Sequence, residues 1–331
     1  MRPFCQIFFV ALGVFFFGFL PQGTSAPIKL RIGYSTFAAA DSGLWVAKDL
    51  GTFEKNGLDV ELIFIRSSSI GVPALVSGST PITIMGGTAA IRSNLAGSDL
   101  VLLGSFKKLP SLAFLVANKK IARIEDLKGK TVGVGRFGGA TDYVTRLALK
   151  KLGIDPEREV KIRQIGNTPE RTVALQTGAI DATVLSPENK FAAERFGINV
   201  LLDLRKLGVE ILNTDIISTR GFIQKNEETI HRFMRAMVEG IHLFKTNKKK
   251  SILVMSQYMR TGDSKILEVG YDYEAEVYER APYPSIAGIQ LALEEIAQEN
   301  PAARKADVRR FFDARWVQEL DKSGFIDALY R

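Results

Sequence analysis

KGKTVGVGRFGGATDYVTRLALKKLG, residues Lys128 to Gly153, decides how the rest of the chain is read. Thr131 to Val134 reads as a buried strand and Gly135 to Gly139 as a glycine-rich turn. From about Ala140 to Leu152 an amphipathic helix follows, because Tyr143, Val144, Leu147, Ala148, Leu149 and Leu152 keep helical spacing. Gly153 stands where such a helix ends. The glycines let the backbone approach a partner closely. The helix start presents unpaired N–H groups and a partial positive charge, with Thr141 beside them. A small anion there gains about 0.3–1 kcal/mol from the dipole and up to ~2 kcal/mol when partly buried. Gly133, Gly135 and Gly138 also spell G-x-G-x-x-G between strand and helix, the dinucleotide fingerprint. That fingerprint asks for an acidic residue at the end of the next strand. The next strand, Val160 to Ile165, runs into Gly166-Asn167-Thr168, with no carboxylate.

Working outward to the start of the chain, Arg2 gives a short positive region, Ile7 to Leu20 an apolar core, and Thr24-Ser25-Ala26 a small-residue cleavage site. Residues 1–26 therefore read as a secretory signal peptide, cleaved near Ala26. Cys5, the single cysteine, lies inside it, so the mature chain is expected to hold no disulfide, thiol nucleophile or thiolate metal site. No cysteine stands near position 26 for lipidation, and no later apolar run reaches ~18 residues, so a periplasmic, water-soluble protein is expected. About 305 residues remain, enough for two lobes with separate cores. Loss of Arg2 lowers the formal charge from +8 to +7. The basic residues are spread out, and the one run, Lys248 to Lys250, reads as a solvated helix end rather than a nucleic-acid patch. A modest positive field favours an anionic ligand.

The N-terminal half alternates strands and helices with short loops. Strands are expected at Leu30 to Tyr34, Asp59 to Ile65, Ile82 to Met85 and Leu100 to Leu103. Helices are expected at Ser42 to Leu50, Ile70 to Ser77 and from Thr88 as cap through Leu95. This βαβ rhythm predicts a mostly parallel sheet, whose ligands bind outside the carboxyl ends of the strands. That rule selects three loops: Ser35 to Ala40, Gly86 to Ala89 and Gly135 to Thr141. A second series begins at Leu112 to Ala117 and includes a helix at Glu170 to Thr177, a strand at Ala182 to Leu185 and another at Asn199 to Leu202. After Asn226 only helices are expected. Ile230, Phe233, Met234, Met237, Val238, Ile241 and Phe244 form one apolar stripe, followed by helical segments at Lys265 to Arg280, Ser285 to Asn300 and Ala306 to Leu329.

Arg31-Ile32-Gly33-Tyr34, the run Ala47 to Val60 (AKDLGTFEKNGLDV), Asp126 to Val134 (DLKGKTVGV), Gly178 to Ala182 (GAIDA) and Phe233 to Ala236 (FMRA) form a recurring pattern in this order and spacing. The chain resembles the nitrate/sulfonate/taurine group of ABC-transporter substrate-binding proteins, which also contains binders of a thiamine pyrimidine precursor. The resemblance spans nearly the whole mature chain. It implies the type II periplasmic-binding-protein fold: two α/β lobes joined by two crossover strands, near Leu112 to Ala117 and Ser218 to Ile223, with ligand clamped between. Lobe one would comprise residues 28–114 plus 222–331 and lobe two residues 115–221. By position, the family's binding loops fall on Ser35, Thr36 and Phe37, on Gly87 and Thr88, on Gly138, Gly139, Ala140 and Thr141, and on Ser186, Pro187 and Glu188. Helix-start amides and the hydroxyls of Ser35, Thr36, Thr88 and Thr141 would bond an anionic head group, while Phe37, Phe137 and Trp45 pack on its apolar part. Arg136 and Arg220 are the arginines placed near the cleft. Glu188 and Asp215 would repel an anion unless they face away or bind an amine.

The resemblance implies a binding protein rather than an enzyme. Its ligand would be a small anionic or zwitterionic organic molecule, sulfonate-, taurine- or pyrimidine-like. Its partners would be permease subunits of an ABC importer in the inner membrane. Neither cofactor, metal nor nucleic acid is expected, and the protein is expected to be a monomer. His231 and His242, eleven apart on one helix, read as helix histidines. Asp41, Glu188 and Asp215 lack a nucleophile or base at recognisable spacing. A ligand-sensing domain for a membrane receptor is the alternative that shares the same clamp. A thiamine-pyrimidine-synthesis enzyme is a further one, and the cysteine-rich signature it would bring is missing.

Overall fold

The computed structural model describes residues 26–331; apart from Ala26, the expected signal peptide lies outside the described residues. Ten strands form two five-stranded sheets. The first contains β1 (Ile28–Tyr34), β2 (Leu58–Phe64), β3 (Ile82–Met85), β4 (Leu100–Ser105) and β10 (Asp215–Thr219), in the order β2-β1-β3-β10-β4. The second contains β5 (Phe114–Asn118), β6 (Thr131–Val134), β7 (Lys161–Gln164), β8 (Ala182–Leu185) and β9 (Ile198–Asp203), in the order β7-β6-β8-β5-β9. In each sheet four strands run in one direction and one, inserted between two of them, runs antiparallel. Thus β1 pairs parallel with β2 and β3, while β10 is antiparallel to both β3 and β4. Likewise β6 is parallel to β7 and β8, and β5 is antiparallel to β8 and β9. The chain passes between sheets twice, between β4 and β5 and between β9 and β10.

Helices cover the sheets. On the N-terminal side they are α1 (Ser42–Asp49), α2 (Thr52–Lys55), α3 (Ser68–Val76) and α4 (Thr88–Leu95). The second sheet carries α5 (Ala140–Lys151), α6 (Thr168–Thr177) and α7 (Pro187–Ala193). The C-terminal part is α8 (Arg220–Lys225), α9 (Glu227–Thr246), α10 (Lys248–Tyr258), α11 (Ser264–Val277), α12 (Ile286–Ile296), α13 (Arg315–Lys322) and α14 (Phe325–Leu329). Burial on both faces explains why β3 and β4 read as continuous apolar runs, every residue of each being buried. The stripe on α9 packs where its spacing put it: all seven of its residues are fully buried, in one core with Leu44, Trp45 and Val46 of α1. A separate core of Leu115, Val132, Val144, Leu147 and their neighbours lies under the second sheet.

Two expectations about elements change. Neither expected crossover position is a bare link: Leu112 to Ala117 runs into β5, which pairs within the second sheet, and Ser218 to Ile223 spans the end of β10, which pairs within the first sheet from Asp215, and the start of α8, so residues 215–221 lie with the first sheet rather than with lobe two. Ala306 to Leu329 is not one helix. The Leu102 N–H donates to Phe311 O and the Asp313 N–H to Leu102 O, which pins the chain beside β4. Gly324, at φ 76°, then breaks α13 from α14 in a left-handed conformation that favours glycine.

Candidate functional site

A cavity of about 290 Å³ lies between the two sheets, bordered by residues of both. Its walls follow the carboxyl ends of parallel strands. Ser35, Thr36 and Phe37 follow β1, and Arg66 and Ser67 follow β2. Gly135, Arg136, Ala140 and Thr141 follow β6, Asn167 and Thr168 follow β7, and Ser186 follows β8. Helices α1, α3, α5 and α6, each of eight residues or more, therefore begin at the cavity. Phe64, Met259 and Ile266 add an apolar wall on the side of the first sheet.

Six of the residues expected from sequence meet here: Ser35, Thr36, Phe37, Ala140, Thr141 and Ser186. Part of their hydrogen-bonding capacity is already used. Thr36 Oγ1 accepts from the Ala38 N–H at 3.0 Å, and Thr141 Oγ1 accepts from the Gly135 N–H at 2.8 Å, which closes the glycine turn over the start of α5. Arg136 also borders the cavity, whereas Arg220 is on the surface, bonded to Asp99 and to Arg310 O.

The other expected residues are placed elsewhere, each for a local reason. Trp45 is 0% exposed in the core of α1 and α9, with its ring stacked on Tyr258 at 4.9 Å. The Gly87 N–H donates to Asp215 Oδ2 at 2.9 Å, and Gly87, not Thr88, holds the N-cap position of α4. The Thr88 hydroxyl is buried with no hydrogen-bond partner among the described residues. Gly138, at φ 72°, donates its N–H to Asp142 Oδ2 at 2.9 Å, so that amide serves its own helix. Gly139 faces the opposite sheet, where a Cβ on it would lie 2.6 Å from Ser67 Oγ. Pro187 is buried, as is Glu188, whose Oε1 accepts from the Ser186 hydroxyl at 2.7 Å and the Ala39 N–H at 3.4 Å. Phe137 is 52% exposed and off the cavity wall.

Sequence reading missed the second helix start in this wall. Asn167 caps α6 by accepting from the Glu170 N–H at 3.2 Å, and Glu170 returns the bond to the Asn167 N–H at 2.8 Å. Asn-x-x-Glu was the available signal for this capping box. It also missed Ser67 and Ser68 at the start of α3, and Arg171.

The electrostatics of the wall are uneven. Asp41 is its one carboxyl group, and burial pushes its pKa up to about 8 despite the nearby Lys107 ammonium. Lys107 is itself buried against Glu274 in an ion pair. Asp215 lies behind the wall, where burial raises it to about 7 against the opposing hydrogen bonds from Ser105 and Gly87. On the cationic side stand Arg66, Arg136 and Arg171. Among the described residues no cluster of histidine, cysteine and carboxylate side chains is arranged to hold a metal. His231 packs near Trp316 and His242 against the edge of Tyr330. No helix among the described residues is long and apolar enough to cross a membrane.

Such a cavity, with helix starts converging from two sheets, suits reversible capture of a small molecule. Comparisons with known proteins agree with the architecture. The family model described as NMT1/THI5-like matches residues 40–250. YtlA of Bacillus subtilis is 24% identical over 229 residues, 68% of each chain. The taurine-binding periplasmic protein of Escherichia coli is 29% identical over 219 residues, 64% of this chain and 65% of that one. The alkanesulfonate-binding protein SsuA of Xanthomonas axonopodis pv. citri superposes with a TM-score of 0.70 at 20% identity, covering 85% of this chain and 94% of that one. At that identity the likeness speaks for the fold, which is that of periplasmic binding proteins. The chain belongs to the NMT1/THI5-like family.

Proposed function

We propose that this protein is an extracytoplasmic solute-binding protein. It is exported to the periplasm behind a leader cleaved near Ala26, captures a small organic molecule between two lobes, and delivers it to the permease of an ABC importer. The observation that carries this reading is one cavity with walls from both sheets, each wall built from loops at strand carboxyl ends. Two passages of chain, 106–113 and 204–214, run between the sheets and act as the hinge. The name of the taurine-binding relative supports a sulfonate-, taurine- or pyrimidine-like ligand.

The mechanism is a population shift. In the open form both walls are hydrated. A ligand seated on one wall adds contacts to the other only when the hinge closes, so closure is favoured by the difference in affinity between the two forms. The ligand leaves chemically unchanged, and the protein acts as a monomer.

Native mass spectrometry of freshly purified protein tests this, together with small-angle scattering before and after ligand removal. A retained small molecule, released intact, and a larger radius of gyration in the stripped protein are expected. A chemically altered product, or identical scattering curves with and without the molecule, overturns the clamp.

A further inference from the structure

Arg171 borders the cavity, yet it is only 1% exposed and makes no ion pair among the described residues. A guanidinium has five N–H donors, and here four of them meet neutral acceptors. Nε donates to Thr183 Oγ1 at 3.1 Å, Nη1 to Gly166 O at 2.9 Å, and Nη2 to Thr168 Oγ1 at 3.2 Å and Val184 O at 3.4 Å. One N–H of Nη1 is left over. Glycine at position 135 leaves space beside it, since a Cβ there would lie 3.7 Å from Nη1. Burial without a carboxylate partner pulls the Arg171 pKa down to about 10, with the Glu170 charge opposing. The group therefore remains a cation at neutral pH and lacks a counter-ion. Burying an unpaired charge is costly unless something neutralises it.

The same wall is positive in other ways. Arg136, after β6, borders the cavity on this side and forms no ion pair among the described residues. The starts of α5 and α6 add their dipoles. The opposite wall carries Arg66, after β2, which forms no ion pair among the described residues, beside an apolar surface. Phe37 and Phe64 stack at 3.9 Å between ring centroids, and Met259 lies on the same side. A cavity of about 290 Å³ is larger than a bare sulfonate or nitrate needs.

Building on the clamp reading, we propose that the ligand is an organic anion with an apolar, ring-bearing body, its head group neutralising Arg171 on the second sheet and its body lying against Phe37 and Phe64 on the first. Arg171 is then the residue that sets charge selectivity, and Phe37 the one that sets body selectivity. Head-only anions and neutral isosteres each satisfy half of the cavity.

The test is a calorimetric titration of the stripped, mature chain with benzenesulfonate, benzoate, benzenesulfonamide and methanesulfonate. The aromatic anions bind most tightly. Benzenesulfonamide, uncharged, and methanesulfonate, bodiless, each bind about 10- to 100-fold more weakly. Arg171→Lys keeps the charge and loses the planar fork, so it binds benzenesulfonate more weakly than wild type yet still prefers it to the sulfonamide. Arg171→Gln loses that preference. Phe37→Ala leaves the charge preference intact and removes the advantage over methanesulfonate. Circular dichroism confirms that each variant is folded, and the wild-type panel decides alone if Arg171→Gln is not. Equal affinity for sulfonate and sulfonamide, or a panel that fails to bind while native mass spectrometry shows a retained neutral or cationic molecule, overturns the proposal and leaves the clamp standing. A protein that neither retains a molecule nor binds any of the four overturns both.

Discussion

Trp45 and Gly139 show how differently two residues chosen from one sequence pattern behave. Trp45 was expected to pack on ligand, and it is instead a core residue stacked on Tyr258. Trp45→Ala removes a large, fully buried ring and is expected to cost about 3–5 kcal/mol of stability. Urea denaturation shows that loss, with little change in ligand affinity once the protein is folded. Gly139 has the reverse profile. Its backbone is ordinary extended chain, so any residue adopts it. A side chain there meets Ser67 Oγ across the narrow gap between the sheets, and Arg136 O of its own loop. Gly139→Val is expected to leave the unfolding midpoint near wild type and to weaken binding at least tenfold, because closure is blocked. A wild-type affinity in titration would mean that this approach plays no part in closure.

At the level of elements, buried carboxyl groups tie the first sheet to pH. Asp215 at the start of β10 accepts from the Ser105 hydroxyl and the Gly87 N–H, and burial lifts it to about 7. Asp41, before α1, is lifted to about 8, facing Lys107, Glu274 and the Thr36 N–H. Both values lie above the ordinary range of an unfolded aspartate, so the folded protein holds these protons more tightly. The stability they contribute is complete below about pH 4 and is lost as pH rises through 7 to 8. Each group changes stability by at most about 1.4 kcal/mol per pH unit within that window. Urea unfolding at pH 5 and pH 9 is expected to show a less stable protein at the higher pH. Asp215→Asn, an isostere of the protonated form, flattens the dependence, and an unchanged slope would show that Asp215 stays ionised.

Elements were also where the sequence was most legible. The strand at Thr131 to Val134, the helix from Ala140 and the apolar stripe of α9 follow from periodicity and glycine placement alone, and each lies where it was expected. Elsewhere tertiary partners decided the outcome. The break after Ala306 comes from pairing with Leu102, which no local pattern announces. The fate of Thr88 is set by Asp215, 127 residues away in the chain, because that carboxylate takes up the Gly87 amide. The loops at strand ends were legible as loops. Which of their atoms reach the cavity depends on side-chain direction and on internal bonds such as Gly138 to Asp142. Arg171 was hidden for the same reason, since only the fold shows that a helix arginine enters the sheet floor without a carboxylate.

Across the whole molecule, the two sheets are joined by contacts away from the hinge, and these set how far the clamp stays closed without ligand. Lys150 on α5, above the second sheet, places its Nζ 2.7 Å from Glu295 Oε2 on α12 and 2.7 Å from Gln298 Oε1. Arg195, after α7, pairs with Asp263, ahead of α11, at 2.5 Å. Both are ion pairs reached by solvent, and each contributes little to folding. That is negligible against global stability and large against an open–closed equilibrium, where about 1 kcal/mol changes the ratio roughly fivefold. Lys150→Met combined with Arg195→Met is therefore expected to enlarge the radius of gyration of the stripped protein while leaving its unfolding midpoint nearly unchanged. Because the ligand must then supply the lost closure energy, its apparent affinity falls several-fold, and the saturated protein returns to the wild-type scattering curve. If the double variant scatters like wild type in the stripped state, these pairs do not hold the lobes together.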